Sequence, residues 1–286
     1  VIILNIVAAL ILFTMMSVVG LELTIADFRH VAARPKVIVW GTLAQLSILP
    51  LGTAALLLIY PLAGHIAAGM VLIAAAPGGG ISNVFTYLAG ANTALSVILT
   101  ALASLAAVVS FPVLSAAGIE LLLGERIAVE VPIVPLMGQL VVLVLLPVTL
   151  GMIVRQRRPD LAGRYATPLR RFTFLAIIGL LVIAMASDTT GLAADVTHGL
   201  FAAFIWTLMA MGLGWGLARM AGLERDDAFA FLIEFSVKNV GFAAIVALAV
   251  LDRPDLAVFF GSYVLIGYPL AALFAMGYRK AVHPLK

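Results

Sequence analysis

Nine times along its 286 residues the chain runs through an apolar stretch of about the 20 residues that a helix needs to cross a bilayer. The stretches fall at 1–22, 37–60, 66–89, 93–117, 132–154, 172–186, 199–218, 228–251 and 256–277. Inside a bilayer every backbone N–H and C=O must find a partner within the protein, so the predicted fold class is an all-α polytopic membrane protein with nine transmembrane helices. The longest connections, 118–131 and 155–171, read as loops too short to bury a core of their own. The whole chain, 1–286, is expected to be a single transmembrane domain. Composition agrees, with 64% hydrophobic and 11% charged residues, against about a quarter charged in soluble domains. The stretch opening at Val1 has no basic segment before it and no small-residue cleavage site after it, and reads as a span rather than a signal peptide.

Several chemistries are set aside at once. A net charge of +3, spread along the chain, leaves no basic stripe for nucleic acid. The absence of cysteine removes disulfides, thiolate metal sites and a cysteine nucleophile. The four histidines, His30, His65, His198 and His283, lack metal-ligand spacing. No His-Glu-x-x-His helix, intramembrane aspartate pair or serine with a nearby histidine marks an enzyme. No cofactor and no metal other than a coupling ion are expected.

Orientation follows from the basic residues in alternate loops. Of 17 Lys and Arg, fourteen fall on one side, only Arg126 and Arg253 on the other, and Lys238 lies within a span. The basic side is expected to be cytoplasmic, which puts the N-terminus outside and the C-terminus inside a cell (inner) membrane.

The third and eighth stretches are interrupted. The third contains Ala76-Pro-Gly-Gly-Gly, a run that cannot sustain a helix. The eighth places Glu234, Lys238 and Asn239 at similar depth, with Gly241 as its only breaker. These stretches hold corresponding places, each third in a set of four: 1–117 is a first repeat, 172–278 a second, and 132–154 an extra helix between them. The sets begin on opposite sides, so their topologies are inverted. Paired, interrupted segments in inverted halves point to a secondary transporter and its site, and they favour alternating access over a passive channel.

The polar residues within the spans carry the chemistry. A charge at mid-span costs about 2.5–3.5 kcal/mol, so both Glu234 and Lys238 need compensation. Four residues apart on an intact helix, they would form a structural ion pair; on an unwound segment, each becomes available to a ligand or coupling ion. Ser82 and Asn83 follow the glycine break, and Ser96 and Thr100 lie four apart on the next helix. Oxygen donors with one carboxylate suit a hard cation such as sodium, while interhelical hydrogen bonding is the plainer role for the two hydroxyls. Gln45 is a further ligand or helix glue. Free N–H groups at the start of the half-helix, Gly80 and Ile81, favour an anionic substrate, with Asn239 and Lys238 nearby. The ten Met and most aromatic residues read as packing.

Three stretches resemble the bile acid:sodium symporter (BASS) family: Pro77-Gly-Gly-Gly-Ile-Ser-Asn-Val-Phe-Thr-Tyr-Leu-Ala, Ala94-Leu-Ser-Val-Ile-Leu-Thr100, and Glu234-Phe-Ser-Val-Lys-Asn-Val-Gly-Phe-Ala-Ala. The resemblance implies a core domain with two crossing broken helices, a panel domain, and an elevator-like alternating-access cycle that couples sodium to uptake of an organic anion. It implies one sodium site formed by Ser82, Asn83, Ser96, Thr100 and Glu234. A second family site uses Gln45 and Glu234 with a glutamine where this chain has Lys238. The departure makes Lys238 a substitute cation for the second sodium, or a group that loads and releases a proton in a proton-coupled transporter or exchanger. Bacterial members of the family have ten spans, and this chain begins where their second would, like the nine-spanned animal members. They often carry a cavity-facing asparagine in the last helix, where this chain reads Leu265-Ile-Gly-Tyr-Pro-Leu. A small carboxylate is preferred to a bile acid as substrate. The related arsenite transporters rely on an intramembrane cysteine, so arsenite export is not expected.

Overall fold

The computed structural model describes residues 2–24, 34–124, 130–187 and 192–282. The basic residues Arg29, Arg126 and Lys286, and His30 and His283, lie outside them. In chain order the helices are α1 (Ile2–Glu22), α2 (Pro35–Ile59), α3 (Gly64–Ala75), α4 (Gly80–Ala89) and α5 (Thr93–Leu123). There follow α6 (Ile133–Leu140), α7 (Leu146–Arg157), α8 (Pro159–Ser187), α9 (Leu192–Met220), α10 (Arg225–Ser236), α11 (Val240–Ile245) and α12 (Ala257–Val282). No β-strand occurs among the described residues, only one isolated bridge. Six helical segments are long and apolar enough to cross a membrane: Pro35–Ile59, Thr93–Leu123, Ile133–Arg157, Pro159–Ala184, Asp195–Met220 and Pro254–Val282. The molecule is a multi-pass membrane protein.

Several boundaries differ from expectation for identifiable reasons. The stretch 155–171, expected as a loop, is helical from Pro159 onward, with proline at the first position and Asp160 in the first turn. Its arginines mask an apolar row, Ala162, Ala166 and Leu169, at helical spacing; the row packs on Leu21 of α1. The sixth span, 172–186 in the apolar pattern, therefore belongs to a helix that runs from Pro159 to Ser187. The stretch 118–131, also expected as a loop, is helical through Leu123 before Gly124 turns it with φ +45°. Between α6 and α7 the helix widens into a π-helical turn, Val141–Leu145, just ahead of Pro147, whose missing N–H an α-helical ladder would have needed.

The helices pack in two sets. One consists of α1 with α7 and α8; the other gathers α2, α3, α4, α5, α9, α10 and α12. In the larger set, Asp227 at the start of α10 ties three helix ends together. It accepts from Arg34 Nη2 at 2.6 Å and from Asn92 Nδ2 at 2.7 Å, while Asn92 Oδ1 caps α5 through Leu95 N–H at 3.1 Å. In the smaller set, α1 and α7 touch backbone to backbone at Gly20 and Gly151. A Cβ on Gly20 would strike the Val148 carbonyl, and one on Gly151 the Ser17 carbonyl. Small residues drive such packing where apolar surface has no water to escape. Gly151→Ala should lower the detergent-solubilised protein's unfolding free energy by about 1–3 kcal/mol. Gly212→Ala, where a Cβ meets nothing within 4 Å, should leave it unchanged or raise it slightly in the same thermal unfolding measurement.

Candidate functional site: two broken helices that cross

The site begins with two gaps in helical hydrogen bonding. Helix α3 ends at Ala75, the chain extends through Pro77, Gly78 and Gly79, and α4 resumes at Gly80. Helix α10 ends at Ser236 and α11 starts at Val240. The second break therefore falls on Val237, Lys238 and Asn239, ahead of Gly241. Gly241 is helical, and what demands glycine there is closeness to α8, since a Cβ would strike Ile177 Cδ1.

The two extended segments repair one another. Gly78 and Lys238 form an antiparallel bridge, in which Gly79 N–H donates to Val237 O at 3.2 Å and Asn239 N–H to Pro77 O at 2.9 Å. Asn239 Oδ1 caps α11 by accepting from Phe242 N–H at 3.0 Å. Two tyrosines of α12 complete the repair. The Tyr263 hydroxyl accepts from Lys238 N–H at 2.7 Å and donates to Ser236 O at 2.6 Å, and the Tyr268 hydroxyl donates to Lys238 O at 2.9 Å. These two stand apart from the aromatic residues that serve packing, and five-residue spacing on an apolar helix gave no sign of it.

Glu234, buried to 1% exposure, projects from the last turn of α10 into a cluster of oxygens. Its Oε2 accepts from Ser82 Oγ at 2.9 Å and Ser96 Oγ at 3.2 Å, and its Oε1 from Thr100 Oγ1 at 2.7 Å. Asn83 Oδ1 lies 2.9 Å from Ser96 Oγ and 3.4 Å from Thr100 Oγ1. All five residues expected to form one site thus meet at a single point. Two further groups join them: the Gly79 carbonyl, 2.7 Å from Ser82 Oγ, and Thr86, 3.3 Å from Ser96 Oγ. Thr86 lies four residues after Ser82 on α4, a spacing visible in the sequence. The cluster is rich in oxygen and poor in hydrogen. Ser82 Oγ alone has the Gly79 carbonyl, Glu234 Oε2 and Thr100 Oγ1 within 3.2 Å, and one proton to share among them. Such a set suits a small hard cation, whose charge would occupy the acceptors that hydrogens leave over. Gly78 makes the room, because a Cβ there would overlap Glu234 Oε1.

Behind the crossing, Lys238 is fully buried and its Nζ donates to Gln45 Oε1 at 3.2 Å. Gln45 and Lys238 are therefore together, whereas no ion pair among the described residues joins Lys238 to Glu234. The unwinding between positions 236 and 240 removes the helical geometry in which the two would have paired. On the opposite face, Gly80, Ile81 and Asn239 line a cavity of about 450 Å³ bounded by α1, α4, α8, α11 and α12. Tyr268, from the stretch where an asparagine was looked for, also lines it.

Six helical segments long enough to cross a membrane, two broken helices that cross, and a carboxylate buried among hydroxyls at the crossing define the class as a polytopic membrane protein with a buried polar site. The chain belongs to the Sodium Bile acid symporter family, which it matches over residues 9–194. It is 31% identical over 252 residues to the probable sodium/metabolite cotransporter BASS1, chloroplastic, of Oryza sativa subsp. japonica, covering 86% of this chain and 59% of the rice protein. It is 31% identical over 238 residues to the uncharacterized sodium-dependent transporter YocS of Bacillus subtilis (strain 168), covering 80% of this chain and 70% of that protein. It is 28% identical over 156 residues to the hepatic sodium/bile acid cotransporter of Rattus norvegicus, covering 54% of this chain and 43% of the rat protein. The chain spans less than two thirds of the rice protein's length. The family is one of transporters rather than enzymes.

Tyr263→Phe should destabilise the protein by about 1–3 kcal/mol, because Lys238 N–H and Ser236 C=O would be left buried without their partner. Thermal unfolding in detergent measures it, and Tyr60→Phe, at a residue 36% exposed, is the comparison expected to change little.

Proposed function

We propose that the chain is a secondary active transporter that couples sodium to the symport of a small organic anion by alternating access. One sodium binds Ser82, Asn83, Ser96, Thr100 and Glu234, and the ammonium of Lys238, seated on Gln45, stands in for a second. The observation that carries this reading is the hydrogen-poor oxygen cluster around Glu234 at the crossing. The names of the rice and Bacillus relatives, a sodium/metabolite cotransporter and a sodium-dependent transporter, point the same way. The substrate's carboxylate binds at Gly80, Ile81 and Asn239, on the side of the crossing that faces the cavity.

In this reading the chain crosses a cell membrane nine times, counting α3 with α4, α6 with α7, and α10 with α11 as single crossings. The N-terminus is outside and the C-terminus cytoplasmic. The repeats are 1–117 and 172–278, with 132–154 between them. The set of α1, α7 and α8 is the panel, and the larger set is the core that moves against it. A second reading, proton coupling or exchange through Glu234 and Lys238, draws on the burial of both groups beside one crossing.

The test is thermal stability of the purified protein across a sodium titration at constant ionic strength, with choline as the replacement cation. Sodium at about a hundred times its dissociation constant should stabilise the fold by about 2.7 kcal/mol, and Glu234→Ala should abolish the response. No sodium response, together with a pH response that disappears in Lys238→Gln, would favour the proton-coupled reading instead.

A further inference from the structure

The cavity described above is polar at both ends and apolar between, and this bears on the substrate of the proposed transport reaction, on which the inference rests. At the inner end, Asn239 is 5% exposed; its Oδ1 is committed to Phe242 N–H, while its Nδ2 makes no hydrogen bond among the described residues. Gly80 and Ile81, at the start of the ten-residue helix α4, lie beside it. Met15 and Val19 of α1 and Phe174 and Ile177 of α8 form the apolar middle. The outer end carries the charged side chains of the lining, Glu22, Arg170 and Arg171, with a net charge of +1.

The contact between two of these is incomplete. Arg170 Nη2 lies 2.7 Å from Glu22 Oε1, yet Glu22 Oε1 and Arg170 Nε are both buried atoms without a hydrogen-bond partner. Both side chains are partly exposed, 31% for Arg170 and 20% for Glu22, but a buried polar atom is costly unless well-aligned hydrogen bonds offset the loss of water, so this close but misaligned contact leaves those two atoms short. A guanidinium offers Nε and Nη2 as one edge that receives a carboxylate through two parallel N–H bonds. Nε, half of that edge, is left without a partner, and Arg170 is one of the residues that line the cavity. Arg171, exposed at the next position, forms no ion pair among the described residues.

We propose that the cavity takes an organic dianion, with two carboxylates separated by an apolar segment. One carboxylate is received by Asn239 and the start of α4. The other takes the Nε edge of Arg170 in exchange for Glu22. Glu22 then acts as an internal competitor that holds Arg170 in place while the cavity is empty. A monocarboxylate of the same length satisfies one end and leaves the other short, so selection falls on the second acid group.

The probes are adipate and hexanoate, six-carbon acids with two and one carboxylates, titrated into the purified full chain at fixed sodium and followed by thermal stability. Adipate should bind at least about tenfold tighter, the worth of one charge-assisted pair. Arg170→Gln should bring adipate down to the affinity of hexanoate. Glu22→Gln, which removes the competitor and keeps the arginine, should tighten adipate. Equal binding of the two acids, no response to any diacid from succinate to suberate, or weaker adipate binding in Glu22→Gln would overturn the proposal. The Glu234-dependent sodium response is read separately. Its absence removes the transport reading itself; its presence without a preference for adipate removes only the dianion.

Discussion

Everything at the centre of this protein depends on one pair of backbone hydrogen bonds, Gly79 N–H to Val237 O and Asn239 N–H to Pro77 O. Surrounded by apolar side chains, an interrupted helix leaves N–H and C=O groups that no solvent can reach, each costing several kcal/mol. One broken helix has no remedy of its own. Two that cross have one, because each supplies the donor and acceptor the other lacks, in the alternation of an antiparallel strand pair. The tyrosines of α12 take the groups that remain, and the segment around Lys238 is thereby held from three sides.

The crossing in turn explains where the carboxylate sits. Glu234 lies in the last turn of α10, so its side chain reaches the start of α4, where Ser82 and Asn83 come immediately after the glycines. Helix α5 brings Ser96 and Thr100 to the same point because residues four apart share a face. The glycine at 78 is part of the same construction, since the space a side chain would fill is taken by the carboxylate. Local sequence, helix geometry and burial converge on one cluster, although its members come from three separate segments.

Much of this was legible in the sequence, for reasons that can be named. Length and hydropathy located the helices, and a proline followed by three glycines announced the first break. Rarity drew attention to the polar residues, since a carboxylate or ammonium amid so many aliphatic side chains needs a reason to be there. The second break was harder to place. Its cause lies in the partner strand and in hydroxyls about 25 residues away, at Tyr263, rather than in any helix-breaking residue of its own. The helical start of α8 was hidden by the opposite effect: Arg164, Arg170 and Arg171 suggested a loop, while the pattern Ala162, Ala166 and Leu169 faced inward. Thr86 and the Gly79 carbonyl were overlooked, one because a lone threonine in a helix is common, the other because carbonyls leave no mark in a sequence.

The hydrogen-bonded crossing also sets where the molecule is stiff and where it is compliant. Pulling α3 and α4 away from α10 and α11 would strand four backbone groups in an apolar medium at once, so those four helices behave as one body. Their boundary with α1 and α8 is of another kind. There, Gly241 of α11 lies against Met15 of α1 and Ile177 of α8, side-chain contacts in place of the paired backbone groups of the crossing. The crossing thus works as a rivet, and in the proposed alternating-access reading the slip plane lies beside it, where the cavity is lined by α1 and α8 on one side and by α4 and α11 on the other.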